Sequence, residues 1–158
     1  MVSESIAELK ERLQLFLNGH NTLTIATRNT QSIWAATVFY IADAEMNLYF
    51  LSSDKTRHVQ DIESHNEVAI TIYQDVSDWQ SIQGVQATGH VSHVGEDDKS
   101  SILNQYISKY TFLKELLNNP KSEQEERIAQ QFKKKQGTFF VNRPQAPTTT
   151  RLLLQKFS

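Results

Sequence analysis

Two neighbouring stretches carry the clearest structural pattern of the chain: Leu48-Tyr-Phe-Leu-Ser-Ser-Asp-Lys-Thr-Arg-His58 and Val68-Ala-Ile-Thr-Ile-Tyr73. Together they predict a strand, a tight turn, a short helix over 55–64 and a second strand. The turn brings Lys55, Arg57 and His58 to the first helical turn, where the helix dipole disfavours cations. A bound phosphate would resolve this conflict, because the free N–H groups of a helix N-terminus bind anions. A basic turn that is simply solvated is the alternative.

Strand patterns on both sides of this segment predict an antiparallel barrel or sandwich. The expected strands cover 23–27, 33–41, 47–52, 68–73, 83–94, 138–141 and 149–154. Helices are expected over 5–17, over 55–64, over 97–117 with a break near Tyr110, and over 122–134. The sequence therefore predicts an α+β fold, an antiparallel barrel of about six or seven strands with peripheral helices.

Composition narrows the class of protein. With 158 residues, the chain is expected to form one domain with a core of its own. Cysteine is absent, which excludes disulfides and thiolate catalysis. The net charge of −2 gives no electrostatic argument for nucleic-acid binding. No stretch approaches the roughly 20 apolar residues of a membrane span, and the first ten residues lack an apolar signal core. A cytoplasmic protein is expected.

No arrangement of side chains points to chemistry that the chain would perform alone. His90 and His93 are three apart on an expected strand, so they point to opposite faces and no metal site is predicted. The HExxH, GxSxG and GxGxxG motifs are missing. Gly84-Val-Gln-Ala-Thr-Gly89 has the glycine spacing of a P-loop but lacks the following Lys-Ser/Thr. Catalysis in such a barrel would need a bound cofactor.

The order and spacing of five segments resemble a known family. They are Trp34-Ala-Ala-Thr-Val-Phe-Tyr40, Leu48-Tyr-Phe-Leu-Ser-Ser53, Lys55-Thr-Arg-His58, Asn66-Glu-Val-Ala-Ile70 and Gly84-Val-Gln-Ala-Thr-Gly89. The chain resembles the FMN-binding split barrels related to pyridoxamine 5′-phosphate oxidase, and most of all the small bacterial members without an assigned substrate. The resemblance covers residues 5–95 well and the remainder loosely. It implies a single FMN-binding split-barrel domain over residues 1–158.

The resemblance also implies where FMN would be held. The triplet Thr56-Arg57-His58 would grip the phosphate with help from Lys55, although His58 stands where the family usually has lysine. A charged His58 would make binding weaken as the pH rises. The resemblance further implies a twofold homodimer with FMN at the subunit interface. The residues that would contact the ring, the ribityl chain or the flavin of the other subunit are Thr37, Val38, Phe39, Tyr40, Leu51, Ser52, Gln83 and Gln86.

The function implied by the resemblance is that of an FMN-dependent oxidoreductase or flavin reductase, acting on a small molecule or NAD(P)H. True pyridoxamine 5′-phosphate oxidases carry an Arg-x-His motif late in the chain, and this sequence has none, so oxidation of vitamin B6 is not expected. The helical segment 97–135 is expected to shape a different substrate pocket. The alternatives are a non-catalytic protein that binds flavin, a deazaflavin, heme or another small ligand, and an interaction domain without a cofactor.

Overall fold

Six antiparallel strands form a closed barrel in the order β1-β2-β3-β6-β5-β4. The computed structural model describes residues 5–133 and 138–143. The strands are β1 Thr22–Arg28, β2 Ile33–Ala42, β3 Leu48–Ser52, β4 Glu67–Tyr73, β5 Gly84–His93 and β6 Thr138–Arg143. The predicted antiparallel barrel is confirmed, and the expected strand over 149–154 lies outside the described residues.

The strand β2 is paired with its two neighbours in the barrel to very different extents. This strand pairs with β1 along seven positions, from Arg28 opposite Ile33 to Thr22 opposite Phe39. Its pairing with β3 is confined to the three positions from Tyr40 to Ala42. Within residues 5–133 and 138–143, the other edge of the first two-thirds of β2 therefore has no neighbouring strand. This open edge faces the start of the helix that follows β3.

Alternate side chains of the strands fill the barrel interior, as the period of two requires. The interior residues are apolar and almost completely buried: Leu23, Ile25, Val38, Tyr40, Leu48, Phe50, Val68, Ile70, Ile72, Val85 and Val91. Burial of this apolar surface supplies the main driving force for folding.

Two helices cover opposite ends of the β1–β2 hairpin. Helix α1, Ile6–Gly19, begins with a capping box between Ser5 and Glu8 and buries Leu17 beside Tyr40, whose hydroxyl donates to the Leu17 carbonyl at 2.7 Å. Helix α2, Arg57–Ser64, covers the other end and buries Val59 and Ile62. The expected helix over 55–64 starts two residues later than predicted, because Thr56 is the extended N-cap residue.

Three further helices follow β5, namely α3 Glu96–Lys109, α4 Thr111–Asn118 and α5 Glu123–Lys133. The predicted break near Tyr110 is confirmed, since this residue leaves helical geometry between α3 and α4. Ile102, Tyr106 and Leu113 pack on Ile41 of β2, outside the barrel. Among the described residues, no helix combines the length and the apolar character needed to cross a membrane.

Candidate functional site

The basic turn between β3 and α2 leaves the helix start uncapped. Thr56 occupies the N-cap position, but its hydroxyl donates to the carbonyl of Ser53 at 2.7 Å and does not cap the helix. The first turn of α2 contains no acidic residue. Its N–H groups and the positive end of the helix dipole are thus available to an anion. Lys55 is exposed two positions before the helix and adds a cation there.

Arg57, the first residue of α2, reaches across to the turn between β1 and β2. Its Nη2 donates to Ser32 Oγ at 2.6 Å, and its Cζ lies 4.4 Å from the centroid of the Trp34 ring. Its Nε lies 4.0 Å from Oδ2 of Asp61, one helical turn onward. The side chain is 42% exposed, so part of the guanidinium still faces solvent beside the helix start. This arrangement suits a guanidinium that binds an external phosphate.

His58 is placed differently from the other residues of the expected phosphate triplet. Only 8% of the residue is exposed, and Nε2 lies 2.7 Å from Ser52 Oγ and 3.3 Å from Thr56 Oγ1. Burial lowers the pKa of His58, and nearby Asp61 opposes this effect only in part. The neutral form is therefore favoured, and this placement argues against the expected role of a charged histidine on phosphate.

The residues of β2 that are expected to contact the ring differ in whether their backbone groups face the open edge. The N–H of Tyr40 donates to the Asn21 carbonyl, on the β1 side, at 3.1 Å. Backbone groups two residues apart on a strand point to the same side, so those of Val38 also face β1. The side chains of both residues point into the barrel. Thr37 and Phe39 turn their backbone groups the other way, but the Phe39 carbonyl accepts from Tyr106 Oη at 3.0 Å. Thr37 thus offers the clearest backbone contact at the open edge.

The remaining expected contacts lie in three separate places. Leu51 is half-buried against the cluster beneath α3 and α4, and Ser52 is paired with His58. Gln86 is exposed on β5, where it lies opposite Thr71 of β4, and Gln83 immediately precedes that strand. Because β5 stands three places from β2 in the six-stranded barrel, both glutamines are on the opposite wall. Within this single chain they are not brought together with Arg57.

Sequence reasoning missed the residues that surround Arg57. Asp61 is 3% exposed and accepts hydrogen bonds from Thr27 Oγ1 at 3.0 Å and from Asn29 Nδ2 at 2.9 Å. Asn29 Oδ1 in turn accepts from the N–H of Ser32 at 2.9 Å. The i,i+4 spacing of Arg57 and Asp61 was a usable signal for the first pair. The contacts of Asp61 with Thr27 and Asn29 join residues more than 30 positions apart, so the periodicity of the sequence could not predict them.

A second unforeseen cluster attaches the end of α3 to the backbone of β2 and of the residues just before β1. The single O–H of Tyr110 is shared between the carbonyls of Asn21, at 2.8 Å, and of Tyr40. Lys109 Nζ donates to the carbonyl of His20 at 2.6 Å and lies 4.6 Å from the centroid of the Tyr40 ring. Burial lowers the pKa of Lys109 and raises the pKa of Tyr110 to about 12. These groups fasten the helix to the barrel.

A shallow cleft lies at the other end of α2. It has a volume of about 280 Å³ and is lined by Ile62, Glu63, Ser64, Asn66, Val91, Ser92 and His93. Glu63 Oε1 and His93 Nε2 are 2.6 Å apart at its wall. The cleft is separated from Arg57 by almost the full length of the helix, so it does not belong to the predicted phosphate site. Within residues 5–133 and 138–143, no group of three histidine, aspartate or glutamate residues is arranged to hold a metal ion.

Comparison with known proteins identifies the family. Residues 9–137 match the family model described as pyridoxamine 5′-phosphate oxidase. The chain belongs to the pyridoxamine 5′-phosphate oxidase family. The match spans the barrel strands β1 to β5 and all five helices except the first residues of α1. The resemblance inferred from the sequence segments is thereby confirmed.

Curated relatives in this family include a UPF0306 protein of Enterobacter sp. (strain 638). It is 29% identical to this chain over 96 residues, which are 60% of this chain and 68% of that protein.

Solved structures share the fold at low identity. A putative pyridoxamine 5′-phosphate oxidase from Listeria innocua has a TM-score of 0.65 at 14% identity, and the match covers 94% of this chain and 100% of the Listeria chain. The heme storage protein HutZ of Vibrio cholerae has a TM-score of 0.63 at 16% identity, and the match covers 87% of this chain and 92% of the HutZ chain. An FAD-binding protein from Mesorhizobium loti has a TM-score of 0.59 at 12% identity, covering 88% of both chains. The match with a protein of unknown function from Agrobacterium tumefaciens covers only 53% of the length of that protein.

Proposed function

We propose that this protein is a homodimer that binds FMN between its subunits and works as an FMN-dependent oxidoreductase or flavin reductase on a small substrate. The observation that carries the proposal is the position of Arg57, which is fixed at the uncapped start of α2 beside the open edge of β2. Family membership and an FAD-binding neighbour with the same fold support a flavin over other phosphorylated ligands.

The residues at this site fit the parts of FMN. Arg57, Lys55 and the free N–H groups of α2 suit the phosphate, because charge-assisted hydrogen bonds and a helix N-terminus both favour a dianion. The backbone groups of Thr37 on the open edge suit the polar edge of a ring system. A bound flavin would supply hydride and electron transfer, while the chain binds the phosphate and orients the ring. In this proposal, no side chain of the chain acts as general acid or base.

An uncharged outer surface supports the homodimer. On β2, β1, β4 and β5 the outward side chains of the central positions are uncharged and exposed or half-buried: Thr24, Ala26, Ala35, Thr37, Ala69, Thr71, Gln86 and Thr88. A sheet face turned to solvent normally carries charged side chains, so this surface suits a second copy of the chain. Such a dimer would let Gln86 and Gln83 of one subunit approach the site of the other.

Absorbance spectroscopy tests the cofactor and the dimer together. The purified protein is mixed with FMN, passed through gel filtration and examined for flavin absorbance and molecular mass. We expect about one flavin per subunit and the mass of a dimer. A colourless protein that releases all added FMN would overturn the proposal. If flavin is retained, reduction by NAD(P)H and reoxidation separate an oxidoreductase from a protein that only binds flavin.

Heme binding is a second candidate, favoured by the shared fold of the heme storage protein HutZ. The same experiment with hemin in place of FMN tests it. Retention of a Soret band, with no retention of FMN, would select the heme-binding function over the flavin-dependent one.

A further inference from the structure

Four polar residues form a closed ring of contacts next to the proposed phosphate site, with Ser32 taking part through both its hydroxyl and its backbone N–H. This polar ring consists of Arg57, Ser32, Asn29 and Asp61. Arg57 Nη2 donates to Ser32 Oγ at 2.6 Å, and the Ser32 N–H donates to Asn29 Oδ1 at 2.9 Å. Asn29 Nδ2 donates to Asp61 Oδ1 at 2.9 Å, and Asp61 Oδ2 lies 4.0 Å from Arg57 Nε. The ring therefore joins the start of α2 to the β1–β2 turn.

The carboxylate of Asp61 is the buried member of the polar ring. Asp61 is 3% exposed, and the two oxygens of its carboxylate accept from Asn29 and Thr27. Burying a carboxylate is expensive, and a buried ion pair seldom stabilises a fold more than apolar residues of similar volume do. Within the described residues, Arg57 is the ion-pair partner of Asp61. The placement is thus better explained by control of Arg57 than by stability.

The polar ring leaves part of the guanidinium free in a defined orientation. Of the five N–H donors of an arginine, one on Nη2 bonds to Ser32 Oγ, while Nε lies 4.0 Å from Asp61 Oδ2 and one face of the group lies on Trp34. The side chain is 42% exposed, so part of the guanidinium stays accessible to a ligand. A guanidinium group held in this way loses little side-chain entropy when it binds a ligand, which favours a bidentate contact with phosphate oxygens.

We propose that Asp61 is a positioning residue that orients Arg57 for the phosphate group of the ligand, with Asn29 and Ser32 completing the connection. The inference rests on the FMN site proposed for this turn. It assigns the specificity for a phosphorylated over an unphosphorylated ligand to the polar ring, because only the phosphate reaches Arg57.

The affinities for FMN and for riboflavin, which lacks the phosphate, test this inference. Asp61→Asn keeps the shape, since the new amide accepts from Asn29 and donates to Thr27, but it turns an N–H toward Arg57. Ser32→Ala removes the acceptor for Nη2 at an exposed position. We expect both variants to bind FMN about tenfold more weakly, with riboflavin affinity unchanged. Ser64→Ala, at the far exposed end of α2, is the matched control and should keep both affinities.

The other outcomes separate this inference from the proposed function. Equal losses for FMN and riboflavin would mean that Asp61 only supports the fold, and the inference would be wrong. Unchanged FMN binding in both variants, together with a large loss in Arg57→Ala, would leave the FMN site standing and overturn the role of Asp61. If the wild type shows no preference for FMN over riboflavin, both the site and the inference fall.

Discussion

The guanidinium of Arg57 lies over the indole ring of Trp34, with Cζ 4.4 Å from the ring centroid. The contact joins the first residue of α2 to the second residue of β2, at the open edge of that strand. A cation over an aromatic face is stabilised electrostatically and partly desolvated. Arg57 is thus held at the edge of the site before any ligand arrives.

Replacing Arg57 should separate phosphate binding from folding. We expect Arg57→Ala to weaken FMN binding by about 1.5–3 kcal/mol, or roughly 10- to 150-fold, because a charge-assisted bidentate partner is lost. Isothermal titration with FMN measures the change. Arg127→Ala, which removes an exposed arginine on α5, is the control and should keep wild-type affinity. An unchanged FMN affinity in Arg57→Ala would falsify the phosphate site.

A charge placed on the uncharged outer face should break the dimer. Ala69 is exposed on β4, between Ala26 of β1 and Thr88 of β5. In Ala69→Arg, we expect a monomer on light scattering and loss of FMN retention, since a buried unpaired cation is costly at an interface. Ala7→Arg makes the same change on the exposed side of α1 and should remain dimeric. A dimeric Ala69→Arg protein would show that this face is not the interface.

Acidification should destabilise the fold through His58. Burial lowers its pKa in the folded state, whereas the unfolded chain takes up the proton near the ordinary value of about 6.5. Stability is therefore full above that value and falls as the pH drops below it. Urea unfolding at about pH 7.5 and pH 5.5 should show a smaller loss in His58→Gln than in the wild type.

An exposed histidine provides the comparison for this pH effect. His90 lies on the outer side of β5, and His90→Gln should keep the wild-type loss of stability on acidification. The same loss in His58→Gln and wild type would mean that His58 does not cause it.

Removing one hydroxyl should loosen α3 from the barrel. The single O–H of Tyr110 is shared between the carbonyl of Asn21, at 2.8 Å, and that of Tyr40, so Tyr110→Phe leaves both acceptors with one partner fewer. We expect the free energy of unfolding to fall by about 1–3 kcal/mol. Urea denaturation measures it, and Tyr73→Phe, at a tyrosine that is 62% exposed, is the control. Equal stability of the two variants would contradict the role assigned to Tyr110.

The fold was largely predictable because its strands follow simple periodicity. The alternation of 68–73 appears directly as Val68, Ile70 and Ile72 in the barrel interior. The break at Tyr110 was also predicted. The contacts of Tyr110 were not, because its hydroxyl lies against carbonyls 70 and 89 positions away in the sequence.

The site was predicted only in part. The resemblance pointed to Arg57 and the turn, but it did not show which basic side chain faces solvent. The spacing of His58, Asp61 and Ile62 repeats at i, i+3 and i+4, which marks one buried helix face. Counting His58 as a surface cation overlooked that pattern. The partner of Asp61 in β1, Thr27, is polar at an interior position, and only tertiary structure reveals why.

The order of strands around the barrel has a consequence for how the chain folds. The last described strand, β6, is inserted between β3 and β5, so that Ser52 pairs with Thr138, which is 86 residues later. Pairing over such separations is entropically costly and slow. During synthesis β3 and β5 present unpaired edges until β6 has emerged, and the three intervening helices are made first. A nascent chain would therefore remain exposed to intermolecular strand pairing until β6 has been synthesised and has paired with both edges.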